Sequence, residues 1–221
     1  MCIRDRSATG LNYQGEPYSS VTLDYDDDGY EDMMIAISDY PSKLFRCAGI
    51  DLNGVPQLID RSGDHIDQQA LPQAGLHGLA AADYDNDGDV DIFAGADSGN
   101  SPRLYRNEGG TFIDVATATG VAPFASDSWS AAWGDYNDDG LVDMIIGRAT
   151  KAGPGMGVFD YGVMPAYLLM NDIDNTGTFI DQTTTAGLQG TSGAFLGTSW
   201  VDIDADGDQD IFLCDIVDYS G

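Results

Sequence analysis

One acidic pattern, D-x-[DN]-x-D-G-x-x-D, occurs four times in this chain, starting at Asp24, Asp83, Asp135 and Asp202. The starts lie 59, 52 and 67 residues apart. Recurrence on that scale marks stacked supersecondary units, and other features keep the same phase. Leu58-Ile59-Asp60, Phe112-Ile113-Asp114 and Phe179-Ile180-Asp181 follow the first three loops at matching places. A Gly-aliphatic pair comes soon after each: Gly75-Leu76, Gly120-Val121 and Gly187-Leu188. A further copy, Gly10-Leu11, precedes the first loop. The reading is therefore a chain that opens on the tail of an earlier repeat.

Each repeat reads as four short strands. In the third, Trp129 to Gly134 is the first strand and Met144-Ile145-Ile146 the second, an apolar run that implies burial on both faces. Tyr167 to Met170 is the third strand and Thr178 to Asp181 the fourth. Gly and Asp clusters mark every junction, and no stretch carries a helical period with caps. Four-stranded units buried on both faces imply an all-β protein, a β-propeller in which each antiparallel blade covers its neighbour. The expected division is a tail at 7–16, blades at 17–76, 77–127 and 128–194, and a partial blade at 195–221. About three full blades and the first half of a fourth are too few for a usual ring of ~4 to 8, so the expectation is a fragment. Residues 1–6, Met-Cys-Ile-Arg-Asp-Arg, look foreign and resemble the translation of a sequencing-library adapter. They are expected to contribute nothing to the fold. Trp129, Trp133 and Trp200 are expected as spacers between blades.

The loops have the chemistry of a hard-cation site. In Asp83-Tyr84-Asp85-Asn86-Asp87-Gly88-Asp89-Val90-Asp91, oxygen ligands at positions 1, 3 and 5 converge as the chain wraps one point. Gly at position 6 permits the turn, position 7 offers a backbone carbonyl, and the acid at 9 closes the site. Loop one supplies Asp24, Asp26, Asp28, the Tyr30 carbonyl and Asp32. Loop two supplies Asp83, Asp85, Asp87, the Asp89 carbonyl and Asp91. Loop three supplies Asp135, Asn137, Asp139, the Leu141 carbonyl and Asp143. Loop four supplies Asp202, Asp204, Asp206, the Asp208 carbonyl and Asp210. The implied cofactor is Ca²⁺, up to four ions; Mg²⁺ demands a tighter octahedron. Asn137 removes one charge, so loop three is expected to be the weakest.

The plainer alternative is a set of solvated Asp-Gly hairpin turns. Two carboxylates ~4 Å apart repel by roughly 4 kcal/mol at an effective dielectric of about 20, and a turn needs one Asp rather than four. An EF-hand is excluded, since it requires a Glu at position 12. That position holds Ile35, Ala94, Ile146 and Leu213. The glycine-rich nonapeptide of calcium-binding β-helices is missing too.

Gly78-Leu79-Ala80-Ala81-Ala82 leading into loop two, then Val90-Asp91-Ile92-Phe93, resembles FG-GAP/VCBS-type repeats. These form calcium-stabilised blades of integrin α-like propellers. Leu104-Tyr105-Arg106-Asn107 and Gly110-Thr111-Phe112-Ile113-Asp114-Val115 are similar to the cartilage-acidic-protein/ASPIC group. The resemblance implies that each acidic loop joins the first two strands of a blade on one face of the disc. Cys47 departs from it, standing where Asn107 and Asn171 stand in the next blades.

Charge narrows the partners. The chain of 221 residues has 37 acidic and 9 basic residues, a formal net charge of −28. Nucleic acid and anionic membranes need a basic footprint, so both are excluded as partners; a cation is favoured. No apolar run approaches the ~20 residues of a membrane span. Cys47 and Cys214 read as buried small hydrophobes, with no disulfide framework. His65 in a Gly/Asp loop and His77 just before a strand fit no triad or metal signature. No nucleophile elbow or phosphate loop is present. Asp60, Asp114 and Asp181 read as turn or blade-contact residues, and Gly153-Pro154-Gly155-Met156-Gly157 as a flexible surface insertion.

The expected function is a non-catalytic, calcium-clipped propeller region of a secreted or surface protein, a scaffold for adhesion or interaction with a protein or glycan partner. The alternatives are the propeller part of a larger extracellular enzyme, such as a polysaccharide lyase or hydrolase, and a carbohydrate-binding module.

Overall fold

Alternating small and apolar residues between Gly/Asp turn signals give this chain short antiparallel strands almost throughout. The computed structural model describes residues 9–37, 40–63, 75–96, 100–124, 127–151, 161–190 and 193–215. The adapter-like segment 1–6, His65 and the 153–157 insertion lie outside them. The first sheet runs β1 (Pro17–Leu23), β2 (Asp32–Ile37), β3 (Lys43–Ile50) and β4 (Pro56–Asp60), hydrogen-bonded in that order. The second repeats the meander with β5 (Leu76–Ala82), β6 (Asp91–Ala96), β7 (Arg103–Asn107) and β8 (Phe112–Asp114). In the third, β9 (Ser128–Gly134) and β10 (Asp143–Lys151) pair first. A short β11 (Tyr161–Val163) then pairs with the far end of β10, before β12 (Tyr167–Asp172) and β13 (Thr178–Asp181) complete the sheet. β14 (Phe195–Val201) and β15 (Asp210–Asp215) form a two-stranded sheet. The molecule is an all-β, incomplete β-propeller.

The first strands of successive blades lie side by side, which is why they carry Gly, Ala and Ser. Leu79 N–H donates to Ser19 Oγ at 3.2 Å, and Ser130 Oγ donates to the Phe195 carbonyl at 3.3 Å. A Cβ on Gly78 would stand 2.7 Å from the Ser130 Cα, and one on Gly134 would stand 2.5 Å from the Trp200 ring. No side chain fits either place. The second strands of the first three blades are buried on both faces, as their apolar runs imply: every residue of β6 is buried.

The core therefore lies between sheets. Leu23, Tyr25, Met34 and Leu44 of the first blade pack against Leu76, Ile92, Tyr105 and Phe112 of the second. Tyr84, Phe93 and Leu104 pack against Met144, Ile146, Leu169 and Phe179 of the third. Leu11 and Tyr13 pack on the opposite face of the first blade, against Ile35, Ile37 and Phe45. At roughly 1.5–3 kcal/mol for each large apolar side chain fully buried, these interfaces are the main driving force that binds blade to blade.

Three details differ from expectation. The second strand of blade three extends to Lys151, well past Ile146, because β11 gives its far end a partner. Trp129, Trp133 and Trp200, all on first strands, lie between blades as expected; the Trp129 ring meets His77 of β5 at 4.2 Å and Tyr18 of β1 at 5.8 Å between centroids. His77 lies inside β5 and is buried, not ahead of the strand. Cys47 is buried as expected, whereas Cys214 is exposed on β15, a strand with one paired edge. Both are free thiols. Among the described residues no helix is long and apolar enough to cross a membrane.

Candidate metal centre

Each acidic loop closes the first hairpin of its blade in one register. Leu23 pairs with Asp32, Ala82 with Asp91, Gly134 with Asp143 and Val201 with Asp210. The bend needs two left-handed residues. Position 6 is Gly in every copy, with φ of 86°, 100°, 87° and 101°. Position 4 is left-handed too, at Asp27, Asn86, Asp138 and Ala205, with φ between 54° and 61°. Asn and Asp tolerate that region; Ala205 does so at a cost. The Asp at position 1 then caps the turn. Asp24 accepts from Asp28 N–H (3.1 Å) and Gly29 N–H (2.8 Å), and Asp83 and Asp135 repeat the arrangement.

Position 9 ties the loop to the rest of the blade. Asp91 Oδ2 accepts from Tyr84 N–H at 3.0 Å and Oδ1 from Asn107 N–H of β7 at 2.8 Å. Asp32 takes Tyr25 and Cys47 N–H in the same way, and Asp143 takes Tyr136 and Asn171 N–H. All three carboxylates are fully buried. Burial pushes Asp32 up to about 6, Asp91 to about 7 and Asp143 to about 6; the two backbone N–H groups pull each down, and loop carboxylates add to the rise. Such groups are uneasy as anions without a positive neighbour.

Positions 1, 3 and 9 converge. Asp24, Asp26 and Asp32 each place a carboxylate oxygen within 4.8 Å of the others, and Asp83, Asp85 and Asp91 do the same. In loop four the converging set is Asp202, Asp204 and Asp206, all exposed, while Asp210 accepts Ile203 N–H at 3.0 Å. Loop three keeps the same backbone bonds to Asp135 and Asp143, but among the described residues its acids form no such converging set, and Asn137 donates its amide to Asp139 at 2.8 Å. Position 5 acids accept from the position 7 N–H: Asp28 from Tyr30, Asp87 from Asp89, Asp139 from Leu141, Asp206 from Asp208, at 2.8–3.0 Å. Two atoms test whether a cation fits. Asp26 Oδ1 and Asp85 Oδ1, at position 3 of loops one and two, are buried with no hydrogen-bond partner. A hard, all-oxygen donor set with an unsatisfied buried oxygen at its centre suits Ca²⁺.

Three contributors were not legible as site residues. Asn107 Nδ2 donates to the Tyr25 carbonyl in loop one at 2.9 Å, and Asn171 Nδ2 donates to the Tyr84 carbonyl in loop two at 2.7 Å. Each ties a loop to the following blade. Their recurrence in phase was the available signal. Loops also meet directly: Asn86 Nδ2 donates to the Gly140 carbonyl at 3.1 Å, so loops two and three share one face. The third contributor is Arg46 of β3, whose guanidinium pairs with Asp26 and Asp28.

The other recurring acids are turn residues. Asp60, Asp114 and Asp181 accept from the N–H two residues on, in Ser62, Ala116 and Thr183, at 2.9–3.1 Å. Asp60 and Asp114 also pair with Lys43 and Arg103. His77 is enclosed by Tyr18 and Trp129, a packed position.

Residues 83–146, which run from loop two through loop three into β10, match the family model described as FG-GAP-like repeat. Over 76 residues, 34% of this chain, the sequence is 39% identical to cartilage acidic protein 1 of Xenopus tropicalis. The matched stretch spans 11% of that relative's length. The FG-GAP-type resemblance of the motifs, and its leaning toward the cartilage-acidic-protein group, agree with both findings.

Proposed function

We propose that this chain is a calcium-clipped propeller region of a secreted or surface-displayed protein, a rigid scaffold for adhesion or interaction with a protein or glycan partner. The observation that carries the reading is the pair of buried, unpartnered oxygens on Asp26 and Asp85, each inside a converging carboxylate cluster. The ion would be held by positions 1, 3, 5 and 9 and the position 7 carbonyl, in up to four loops. There it would neutralise the carboxylates and tie β-hairpin to blade. On ligand charge alone, loop three stands lowest because of Asn137.

Extracellular calcium modules bind at ~10⁻⁴ to 10⁻³ M, which suits a compartment rich in calcium. The role is non-catalytic: the recurring acids are taken up by turns and by loop closure, and His77 is packed among rings.

Calorimetric titration of calcium into the full chain tests this. Asp85→Ala, which removes the position 3 ligand altogether, is expected to abolish one binding event and leave the others. Titrations that are the same for the variant and the parent chain would contradict the reading.

A further inference from the structure

Loops one and two differ in what stands beside them. Arg46 and Arg106 occupy equivalent places on the third strands: Arg46 pairs with Ile59 across its hairpin, and Arg106 with Ile113. Met170, opposite Ile180, holds that place in blade three. Yet the two arginines point their charge differently. Arg46 engages Asp26 through Nε and Asp28 through Nη2, positions 3 and 5 of its own loop. Arg106 instead places Nη2 on Glu108 at 2.6 Å. The residue two places on explains the choice: it is Ala48 in blade one and Glu108 in blade two. Arg46 has no acid of its own strand to meet, so it turns into the loop.

We propose that Arg46 is a built-in counter-cation of loop one that competes with calcium for Asp26 and Asp28, and that Glu108 keeps Arg106 from doing the same to loop two. The inference rests on the reading that these loops take calcium. A guanidinium cannot shed its proton, so an incoming divalent ion must displace it rather than neutralise it. The side chain is 27% exposed, which leaves it a route out to solvent. Two consequences follow. Loop one is held in shape without calcium, and it binds calcium more weakly than loop two. Counted as four carboxylates and one guanidinium, its charge equals that of loop three with its three carboxylates, so Asn137 no longer makes loop three uniquely weak.

The test is Arg46→Met in the full chain, the residue found at the same place in blade three. Calcium titration followed by calorimetry is expected to show loop one gaining about tenfold or more in affinity, the effect of removing one opposite charge from beside a carboxylate pair. The same variant in the Asp24→Asn background, which disables loop one, is expected to show no gain. Melting supplies a sign that a purely structural ion pair would not give: the variant melts lower than the parent in chelator and recovers or exceeds it in saturating calcium. A second variant, Glu108→Ala, is expected to weaken loop two by freeing Arg106, and it stands even if Arg46→Met folds poorly. An unchanged loop one titration, or an equal fall in melting temperature with and without calcium, overturns the proposal while leaving the calcium reading intact. No calcium binding at any loop overturns both.

Discussion

Loops two and four have nearly the same sequence and very different surroundings. In loop two, Asp91 is fully buried and holds two backbone N–H groups, one from the loop and one from β7. Tyr84 at position 2 is buried between blades, and its carbonyl receives Asn171 of the next blade. In loop four, Asp210 is exposed, Ile203 at position 2 is 67% exposed, and the sheet has two strands among the described residues. The hairpin register and the left-handed residues are the same in both. The loop sequence therefore bends the chain by itself, but the third strand and the following blade turn that bend into a buried, preorganised cluster. The carboxylate cluster is a property of two adjacent blades rather than of nine residues.

The largest effect that would break this comparison is at position 9. Asp91→Ala leaves the buried N–H groups of Tyr84 and Asn107 without an acceptor, at about 1–3 kcal/mol each. In chelator it is expected to cost about 3 kcal/mol and lower the melting midpoint by about 6–12 °C. Asp210→Ala, on an exposed carboxylate, is expected to cost under about 0.5 kcal/mol. Equal losses in the two variants, measured by chemical denaturation, would mean that the third strand contributes nothing to the difference.

A smaller effect isolates the neighbouring blade. Asn171→Ala removes the donor to the Tyr84 and Val142 carbonyls. The expected cost is about 1–2 kcal/mol, with faster amide exchange at the junction of blades two and three. It should also lower the calcium affinity of loop two, although Asn171 is no ligand of that loop. Exchange that speeds only within blade three would break the link between blades.

Much of this was readable in advance because the determinants are local. Gly and Asp punctuation places the first, third and fourth expected strands of blade three to within two residues, while the second runs five residues further because β11 pairs with its far end. The acidic loops declared their own spacing. What escaped the sequence depends on register between distant segments. Arg46 meets Asp26 across 20 positions and Asn171 meets Tyr84 across 87. Neither can be read without knowing how third strands lie against loops. Cys214 reads as a buried small hydrophobe, yet burial of a second strand requires a sheet on each side. The position 4 residues were overlooked because their role is backbone conformation, and only the Asn and Asp copies hint at it.

The account stands on calcium holding these loops, and thermal melting of the full chain addresses that directly. A site filled at a hundred times its dissociation constant adds about 2.7 kcal/mol, or about 5–10 °C for a chain of this size. The midpoint is expected to rise by at least that much between chelator and saturating calcium, and far less with the same concentration of magnesium. A midpoint that is the same in calcium and in chelator would contradict the account.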